Sequence, residues 1–316
     1  MLTLFLFSLL FLISMLVLHR SSDMVVRNSV KITKTLKISE LFIGFLIIAF
    51  TTSVPEIAVS FSSIISHQIE IAVGNILGSN ITNICLILGL GILLAPRDIK
   101  LGEKEFRTMT SILFFFSLLL LLFLIPGMRY VLGAVFLLSY LPLAMHVWGK
   151  KTRMSGRKRK KKIIREVCWL SLGLILLLIS SRVVVDTASI LATELGITES
   201  FIGSTLIALG TSLPELSITL QALKKGHGKL GVGNVIGSCL TNFSLILGPI
   251  LLLSSAQVEM NMFVSLIFFS LLSSLVLWYM LEDGKLKVVE GAILVMIYLV
   301  FLLSISGLQL TLMVLS

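Results

Sequence analysis

The sequence has few charged residues. Only 13% of its 316 residues are Asp, Glu, Lys or Arg, whereas a soluble domain usually carries about 25%. Hydrophobic residues make up 56% of the chain, and its mean hydropathy is +1.05. Most stretches of roughly 20 residues between charge clusters are apolar enough to cross about 30 Å of hydrocarbon as a helix. We therefore expect an integral membrane protein, and the ten-residue alternation typical of a membrane β-barrel is absent.

Cysteine and histidine are also scarce, with three and four residues. Cys85, Cys168 and Cys239 lie in apolar segments without metal-ligand spacing. We expect small buried thiols rather than a disulfide framework or a thiolate metal site. The four histidines fall at the ends of predicted spans, where plain interfacial positions are expected. No span pairs a nucleophile with a base, so an enzyme is disfavoured and no cofactor is expected.

Acidic residues are too few to balance the basic ones, and the net charge is +10. Residues 150–165 (KKTRMSGRKRKKKIIR) contain ten basic residues and no acid, so this segment accounts for the whole excess. A polybasic run between apolar spans is typical of a cytoplasmic loop that faces anionic lipid headgroups, and it disfavours nucleic-acid binding. We predict a first half at 1–149, this basic cytoplasmic loop at 150–165 and a second half at 166–316. No obligate protein partner is inferred.

Apolar length and helix-breaking residues predict ten transmembrane helices, five on each side of the basic loop. The first apolar run lacks the basic n-region and cleavage site of a signal peptide, so it counts as a span. If the basic loop is inside the cell, the other predicted inside loops are also rich in Lys and Arg, as the positive-inside rule requires. Both termini are then outside, and we expect the plasma membrane. The predicted spans are 2–19, 40–65, 70–94, 107–125, 129–148, 165–190, 199–223, 229–253, 259–281 and 288–312.

Residues 43–94 are repeated at 202–253. A shift of 159 aligns them without a gap, and 21 of 52 positions are identical. The resemblance continues upstream, so we predict repeats of about 38–94 and 197–253. Because each half has an odd number of spans, the second half enters the membrane in the opposite sense, as in many secondary transporters. We predict an all-α polytopic membrane protein with ten transmembrane helices arranged as two inverted five-helix repeats.

Each repeat carries a proline and a glutamate near the centre of an apolar span. The motifs are Thr-Ser-Val-Pro-Glu at 52–56 and Thr-Ser-Leu-Pro-Glu at 211–215. Proline removes a backbone donor, so we expect carbonyls near Ala49 and Ala208 to be free. Together with the hydroxyls and the carboxylates, they would form oxygen-rich clusters suited to hard cations such as Na⁺ and Ca²⁺.

The glutamates of these motifs, Glu56 and Glu215, are the only acids central to any predicted span. A charged carboxylate at this depth costs a few kcal/mol, so a purely structural role is disfavoured. No basic residue is predicted at a comparable depth to pair with them. They therefore either bind a mobile cation or are protonated.

A second pair of matched segments follows, at 74–89 and 233–248. In each segment, two glycines four residues apart share a helical face and permit close backbone approach. A serine and an asparagine, also four apart, share a face. Such residues often only bond neighbouring helices, but two matched sets beside two intramembrane carboxylates favour a binding site. They are Gly74, Gly78, Ser79 and Asn83 in the first segment, and Gly233, Gly237, Ser238 and Asn242 in the second.

The motifs TTSVPE with GNILGSNITN, and GTSLPE with GNVIGSCLTN, resemble the two α-repeats of the cation/Ca²⁺ exchanger superfamily, most closely microbial Na⁺/Ca²⁺ exchangers. The resemblance implies an antiporter that exchanges Ca²⁺ for Na⁺ by alternating access, with the first and sixth spans sliding across the other eight. It also implies that Ca²⁺ and Na⁺ are substrates at one central site. The implied ligands are Glu56, Glu215, Thr52, Ser53, Thr211, Ser212, Ser79, Ser238, Asn83, Asn242 and the carbonyls of Ala49 and Ala208.

Two positions depart from the family pattern. Thr51 stands where the motif usually has Gly, and Asn242 stands where related exchangers often have Asp. Without that carboxylate the site holds at most two negative charges, which balance one Ca²⁺ but not three Na⁺, so the stoichiometry stays open. Ca²⁺/H⁺ or other cation/H⁺ antiport is an alternative, although the acid that proton-coupled relatives place after the Gly-Asn pair is missing. A cation channel or a non-transporting membrane scaffold is the alternative from another class.

Overall fold

The structure, a computed structural model, describes residues 2–36, 38–65, 69–125, 127–148, 157–194, 208–253 and 260–315. Ten helical units follow one another along these residues, and we number them α1 to α10. Their bounds are α1 Leu2–Leu36, α2 40–65, α3 69–93, α4 103–124, α5 Met128–Trp148, α6 Arg157–Glu194, α7 208–224, α8 228–253, α9 Met260–Met280 and α10 Val288–Leu315.

Nine of these units in the described part are long and apolar enough to cross a membrane. The remaining unit, α7, is described only from residue 208 onward, because the residues before it lie outside the described ranges. The predicted all-α membrane fold is therefore confirmed, and the ten helical units of the described part agree with the predicted ten spans in two five-helix repeats. A small antiparallel ribbon, β1 Ile99–Lys100 with β2 Lys285–Leu286, joins the loop after α3 to the loop after α9. The topology prediction assigns both loops to the same side.

α1 and α6 are longer than predicted. α1 has 35 residues and continues through the predicted loop after residue 19, and α6 has 38 residues and begins at Arg157 instead of 165. At 1.5 Å per residue they are about 52 and 57 Å long, so each exceeds the hydrocarbon core by about 20 Å or more. Residues 2–36 contain no Gly or Pro, and the face of α1 beyond the membrane packs on α6. The prediction was wrong because charge marks the edge of the bilayer and not the end of a helix.

Three predictions for minor residues need correction or restriction. His19 was expected at the end of a span, but it lies inside α1 with its Nδ1 2.9 Å from Nε2 of Gln221 on α7. Cys168 was expected to be buried, but it is exposed on α6, whereas Cys85 and Cys239 are buried as predicted. The side chains of the histidines at 67 and 146 lie outside the described part of the chain.

α3 and α8 lie at the centre of the molecule. In the apolar span of α3, 78% of the residues are buried inside the protein, and in that of α8, 83%. The share is 33% for α1 and 22% for both α5 and α10. The rings of Phe116, Phe136 and Phe243 cluster beside α8, with centroids 5.0 to 6.1 Å apart. The two helices that carry the matched Gly-Asn segments are therefore shielded from lipid by the others.

Glycines allow α8 to approach α2 closely. A Cβ atom at Gly237 would lie 2.7 Å from Cα of Phe45, and one at Gly233 would also meet α2 backbone, at 3.3 Å. The predicted close approach is confirmed for this pair of helices. For Gly74 and Gly78 the repeat places the equivalent partner in the segment 200–208, nearly all of which lies outside the described ranges.

Candidate ion-binding site

α2 and α7 are each interrupted at a serine two residues before the proline. Ser53 has φ −78° and ψ 4°, and Ser212 has φ −91° and ψ 7°. These values lie near the bridge region of backbone space, where many active-site residues are found. The helices resume as Val54–Ile65 and Leu213–Lys224. Each repeat thus contributes one broken helix, as the paired prolines predict.

The carbonyl expected to be free at the break is not free. The carbonyl of Ala49 accepts hydrogen bonds from the backbone N–H of the break-point serine at 3.0 Å and from the Thr52 hydroxyl at 3.2 Å. The prediction was wrong because a proline deprives the carbonyl four residues earlier, so Pro55 affects Thr51. In the second repeat, Ala208 is the first described residue of α7, and its ligand role stays a prediction.

The glutamate of each repeat lies in the first turn of the resumed helix. Glu56 is 1% exposed and Glu215 is 0% exposed. The positive end of a helix dipole favours a negative charge at this position. No ion pair found among the described residues includes either carboxylate. Helix dipoles and hydrogen bonds therefore offer these two buried groups only partial compensation.

The two glutamates meet at a centre shared by the repeats. The Ser212 hydroxyl, at the break in α7, donates to Oε1 of Glu56 at 3.3 Å. Thr211 also lies beside Glu56, and Thr52 of the first repeat lies beside Glu215. The carboxylates are close enough for their charges to interact. Each glutamate therefore faces the helix break of the other half, as a two-fold arrangement requires.

Several buried oxygens in this region accept no hydrogen bond from any described residue. Buried polar atoms are nearly always hydrogen-bonded in proteins, so a cluster of such oxygens needs an explanation. Carboxylate, hydroxyl and amide oxygens are the donors that hard cations prefer. The residues present therefore fit a Na⁺ or Ca²⁺ ion. Those that belong to predicted ligands are Ser53 Oγ, Glu56 Oε2, Asn83 Oδ1, Glu215 Oε2 and Asn242 Oδ1.

Asn80, which the sequence analysis missed, holds one of these amides. Nδ2 of Asn242 donates to Oδ1 of Asn80 at 2.9 Å, which leaves Oδ1 of Asn242 available. Asn80 and Cys239 are equivalent positions in the two repeats, and they contact each other. Nδ2 of Asn80 lies 3.4 Å from the Cys239 carbonyl, and the Cys239 thiol lies 3.8 Å from the Asn80 carbonyl. Equivalent residues contact each other in this reciprocal way at a two-fold axis, so the pseudo-two-fold axis passes between them.

A second matched pair fastens the resumed half-helices. Nδ2 of Asn75 lies 3.4 Å from the Ser60 hydroxyl, and Nδ2 of Asn234 lies 3.1 Å from the Thr219 hydroxyl. Ser60 and Thr219 come four residues after the glutamates, on the same helix face. These bonds therefore fix the orientation of each carboxylate-bearing turn. The sequence indicated a role for these asparagines because they are identical in the two repeats. It did not indicate which side chains they bond.

The asparagines of the candidate site lie in π-helical turns. α3 contains the turn Thr82–Leu88 and α8 contains Asn242–Leu247, at nearly equivalent positions of the two repeats. Single π turns inside helices frequently mark functional sites, because the wider turn shifts the side chains out of the regular helical register. Asn83 and Asn242 lie at or near the start of these turns, in buried positions.

The structure buries nearly all predicted ligands. In addition, the hydroxyl of Ser238, one of these ligands, donates to Oε1 of Glu215 at 3.5 Å. Thr211 is half-buried, and the side chain of Ala208 lies outside the described part. Whether these residues bind ions stays a prediction. The buried ones are Ala49, Thr52, Ser53, Glu56, Ser79, Asn83, Ser212, Glu215, Ser238 and Asn242.

Comparison with known proteins agrees with this geometry. A family model described as sodium/calcium exchanger protein matches residues 6–149 and 166–307. The chain belongs to this family. The exchanger is 34% identical over 304 residues to a putative antiporter, CaxA, from Alkalimonas amylolytica, with coverage of 91% of this chain and 95% of the relative. It is 31% identical over 340 residues to the sodium/calcium exchanger MaX1 from Methanosarcina acetivorans, with coverage of 93% and 97%.

The exchanger also resembles a solved structure over its whole length. It matches the sodium-calcium exchanger NCX_Mj, in crystals soaked without Na⁺ and Ca²⁺, with a TM-score of 0.85 and 27% identity. The match covers 96% of this chain and 99% of that structure. The family recognised from the repeated motifs is therefore confirmed, and the exchanger is a multi-pass cation antiporter with the architecture of a membrane transporter.

Proposed function

We propose that this exchanger moves Ca²⁺ outward in exchange for inward Na⁺, by alternating access at one site built around Glu56 and Glu215. The observation that supports the proposal is the set of five buried oxygens that accept no hydrogen bond from the described residues. They come from both repeats and include one oxygen of each glutamate. Ca²⁺ takes six to eight oxygen ligands, so hydroxyls from Thr52, Ser79 and their repeat equivalents complete the set.

The charge of the site selects the ions and their number. Two carboxylates carry two negative charges, and one Ca²⁺ or two Na⁺ ions neutralise them. A third Na⁺ would leave one uncompensated charge in a low-dielectric centre, where burying a charge costs several kcal/mol. Asn242 offers a neutral amide oxygen in place of a third carboxylate. The exchange is therefore electroneutral, with two Na⁺ ions for one Ca²⁺.

The same charges couple the two ions. An empty site with two buried negative charges resists crossing between the two sides, whereas a site neutralised by Ca²⁺ or Na⁺ crosses at a lower cost. α1 and α6 slide across the remaining helices in this step, as the family resemblance implies. The positive-inside pattern supports the plasma membrane as the location, with both termini outside.

The test is Ca²⁺ uptake by purified protein in Na⁺-loaded proteoliposomes. We expect uptake to follow the outward Na⁺ gradient and to stop in the Glu56→Gln and Glu215→Gln variants. Glu282→Gln is the matched control, because that glutamate is exposed in the loop after α9. Uptake that ignores the Na⁺ gradient and follows a pH gradient would replace this proposal with cation/H⁺ antiport. Currents above carrier turnover rates would indicate a channel.

A further inference from the structure

A groove lies between α1 and α6, outside the central site. Its volume is about 320 Å³. It opens where the apolar part of α1 gives way to polar and basic residues. The residues that line it are Arg20, Met24, Arg27, Asn28, Lys31 and Trp169.

Helix geometry builds the groove from a single face of α1. Arg20, Met24 and the adjacent pair Arg27 and Asn28 are followed by Lys31, so one or two lining residues come from each turn and form one stripe along the helix. α6 approaches this stripe at Gly173, where a Cβ atom would lie 3.0 Å from Cγ2 of Val25 and 3.2 Å from Cε of Met24. Trp169 lies one turn earlier on α6 and forms the opposite wall.

The groove has an excess of positive charge. Asp23, the nearest acid on α1, is shared between Arg27 and Lys225 of the turn after α7. No ion pair found in the described part of the chain includes Arg20 or Lys31. The groove therefore presents two cations without a counter-ion, and a third, Arg27, whose counter-ion is shared.

The position of the groove relative to lipid follows from the exposed side chains beside it. Leu16, one turn before Arg20, is 66% exposed, and Ile175 on α6 is 53% exposed. These apolar side chains mark the hydrocarbon region. Trp169 is 49% exposed, and indole rings are enriched at the level of lipid headgroups. The cations of the groove thus lie where a membrane presents its phosphates.

We propose that this groove is a binding site for the phosphate headgroup of an anionic phospholipid. Arginine side chains make charge-assisted, bidentate bonds with phosphate, and Arg20 and Arg27 stand two turns apart on the same stripe. Lys31 adds a point charge one turn further from the hydrocarbon. The exposed indole of Trp169 and the adjoining apolar face favour a phosphate attached to lipid over free phosphate. A lipid bound here contacts both of the extended helices.

Quenching of Trp169 fluorescence tests the proposal directly. Replacing Trp148 and Trp278 by Phe leaves Trp169 as the one remaining indole, since the chain has three tryptophans. The protein is reconstituted in phosphatidylcholine with rising fractions of brominated phosphatidylglycerol or brominated phosphatidylcholine. We expect the anionic lipid to quench at a lower fraction, because choline masks the phosphate charge of the other lipid.

Charge removal supplies the matched comparison. Arg20→Gln and Lys31→Gln should each reduce the preference for the anionic lipid about fivefold, and together about 25-fold. Arg182→Gln should leave the preference unchanged, because Arg182 is an exposed cation towards the other end of α6. Elution as a single species in detergent establishes that each variant folds.

Three results would overturn the assignment. The first is equal quenching by the two brominated lipids. The second is an unchanged preference in the folded Arg20→Gln, Lys31→Gln double variant. The third is relief of quenching by inorganic phosphate at concentrations similar to those of the lipid, which would assign a soluble phosphate ligand. The readout is independent of transport, so the proposal stands or falls separately from Na⁺/Ca²⁺ exchange.

Discussion

The count of carboxylates predicts that transport does not sense the membrane potential. Glu56 and Glu215 are the two acids of the proposed site, and Asn242 offers an amide where related exchangers often have Asp. Among the described residues, no cluster contains three or more of the side chains His, Cys, Asp and Glu. Two Na⁺ for one Ca²⁺ moves no net charge. The test is to clamp the membrane potential at different values and compare the wild-type protein with the Asn242→Asp variant.

The magnitude follows from the charge moved per cycle. One elementary charge crossing 100 mV changes the free energy by about 2.3 kcal/mol. At 1.4 kcal/mol per factor of ten, this is about a 50-fold change in the final Ca²⁺ ratio across the membrane. The wild-type ratio should not change. Asn242→Asp adds a third carboxylate and permits a third Na⁺, so its ratio should shift by about 50-fold per 100 mV. The Asn80 amide can rotate to donate to the new carboxylate.

The assay uses Na⁺-loaded proteoliposomes in which valinomycin and K⁺ gradients set the potential. An entrapped dye reports the Ca²⁺ concentration at steady state. Asn83→Asp adds the same charge at the equivalent position of the first repeat. Comparing the two variants separates the effect of the number of charges from the effect of their position. A wild-type ratio that shifts about 50-fold per 100 mV would refute the charge argument. A voltage-independent Asn242→Asp variant that still transports would show that residue 242 does not set the stoichiometry.

Three further predictions concern packing and positioning. Gly237→Ala should lower the free energy of unfolding by about 1–3 kcal/mol, measured by thermal unfolding, because its Cβ would meet α2 backbone at 2.7 Å. Thr219→Val should cost about 1 kcal/mol by leaving the Asn234 amide without its hydroxyl partner, measured in a double-mutant cycle with Asn234→Ala. Asn80→Ala should weaken Ca²⁺ binding by several-fold in calorimetry, because it releases an amide ligand, and should also lower Tm, because Nδ2 of the buried Asn242 loses its acceptor.

Most of the fold could be predicted because its signals are local. The length of each apolar run sets a span, and Gly, Pro and charged residues separate one span from the next. The repeat then relates the halves, and the odd number of spans inverts them. The extended ends of α1 and α6 could not be predicted this way. The polar turns of α1 pack on α6, where Gly173 permits a close approach to Met24 and Val25, and this contact is tertiary.

The candidate site was predicted in its residue types and missed in its bonding. Repeated Glu, Ser and Asn in apolar spans indicate buried polar groups, and the structure buries them. Pairing depends on which turns face each other, which a single sequence does not encode locally. The hydrogen bond from Asn242 to Asn80 shows this, since it joins side chains of opposite repeats. The π turns at 82–88 and 242–247 also shift the side chains out of the regular helical register, which the sequence did not predict.

The pseudo-two-fold axis explains why a symmetric fold carries an asymmetric site. The axis passes between Asn80 and Cys239, so these two equivalent positions each face the site asparagine of the opposite repeat. Asn80 accepts a hydrogen bond from Asn242 at 2.9 Å, whereas Asn83 lies near the Cys239 thiol, a weaker partner. A side chain held by a strong bond loses less conformational entropy when it coordinates an ion. We therefore predict that the amide at 242 is preorganised for an ion and the amide at 83 is less so, because one pair of side chains on the axis differs between the two halves.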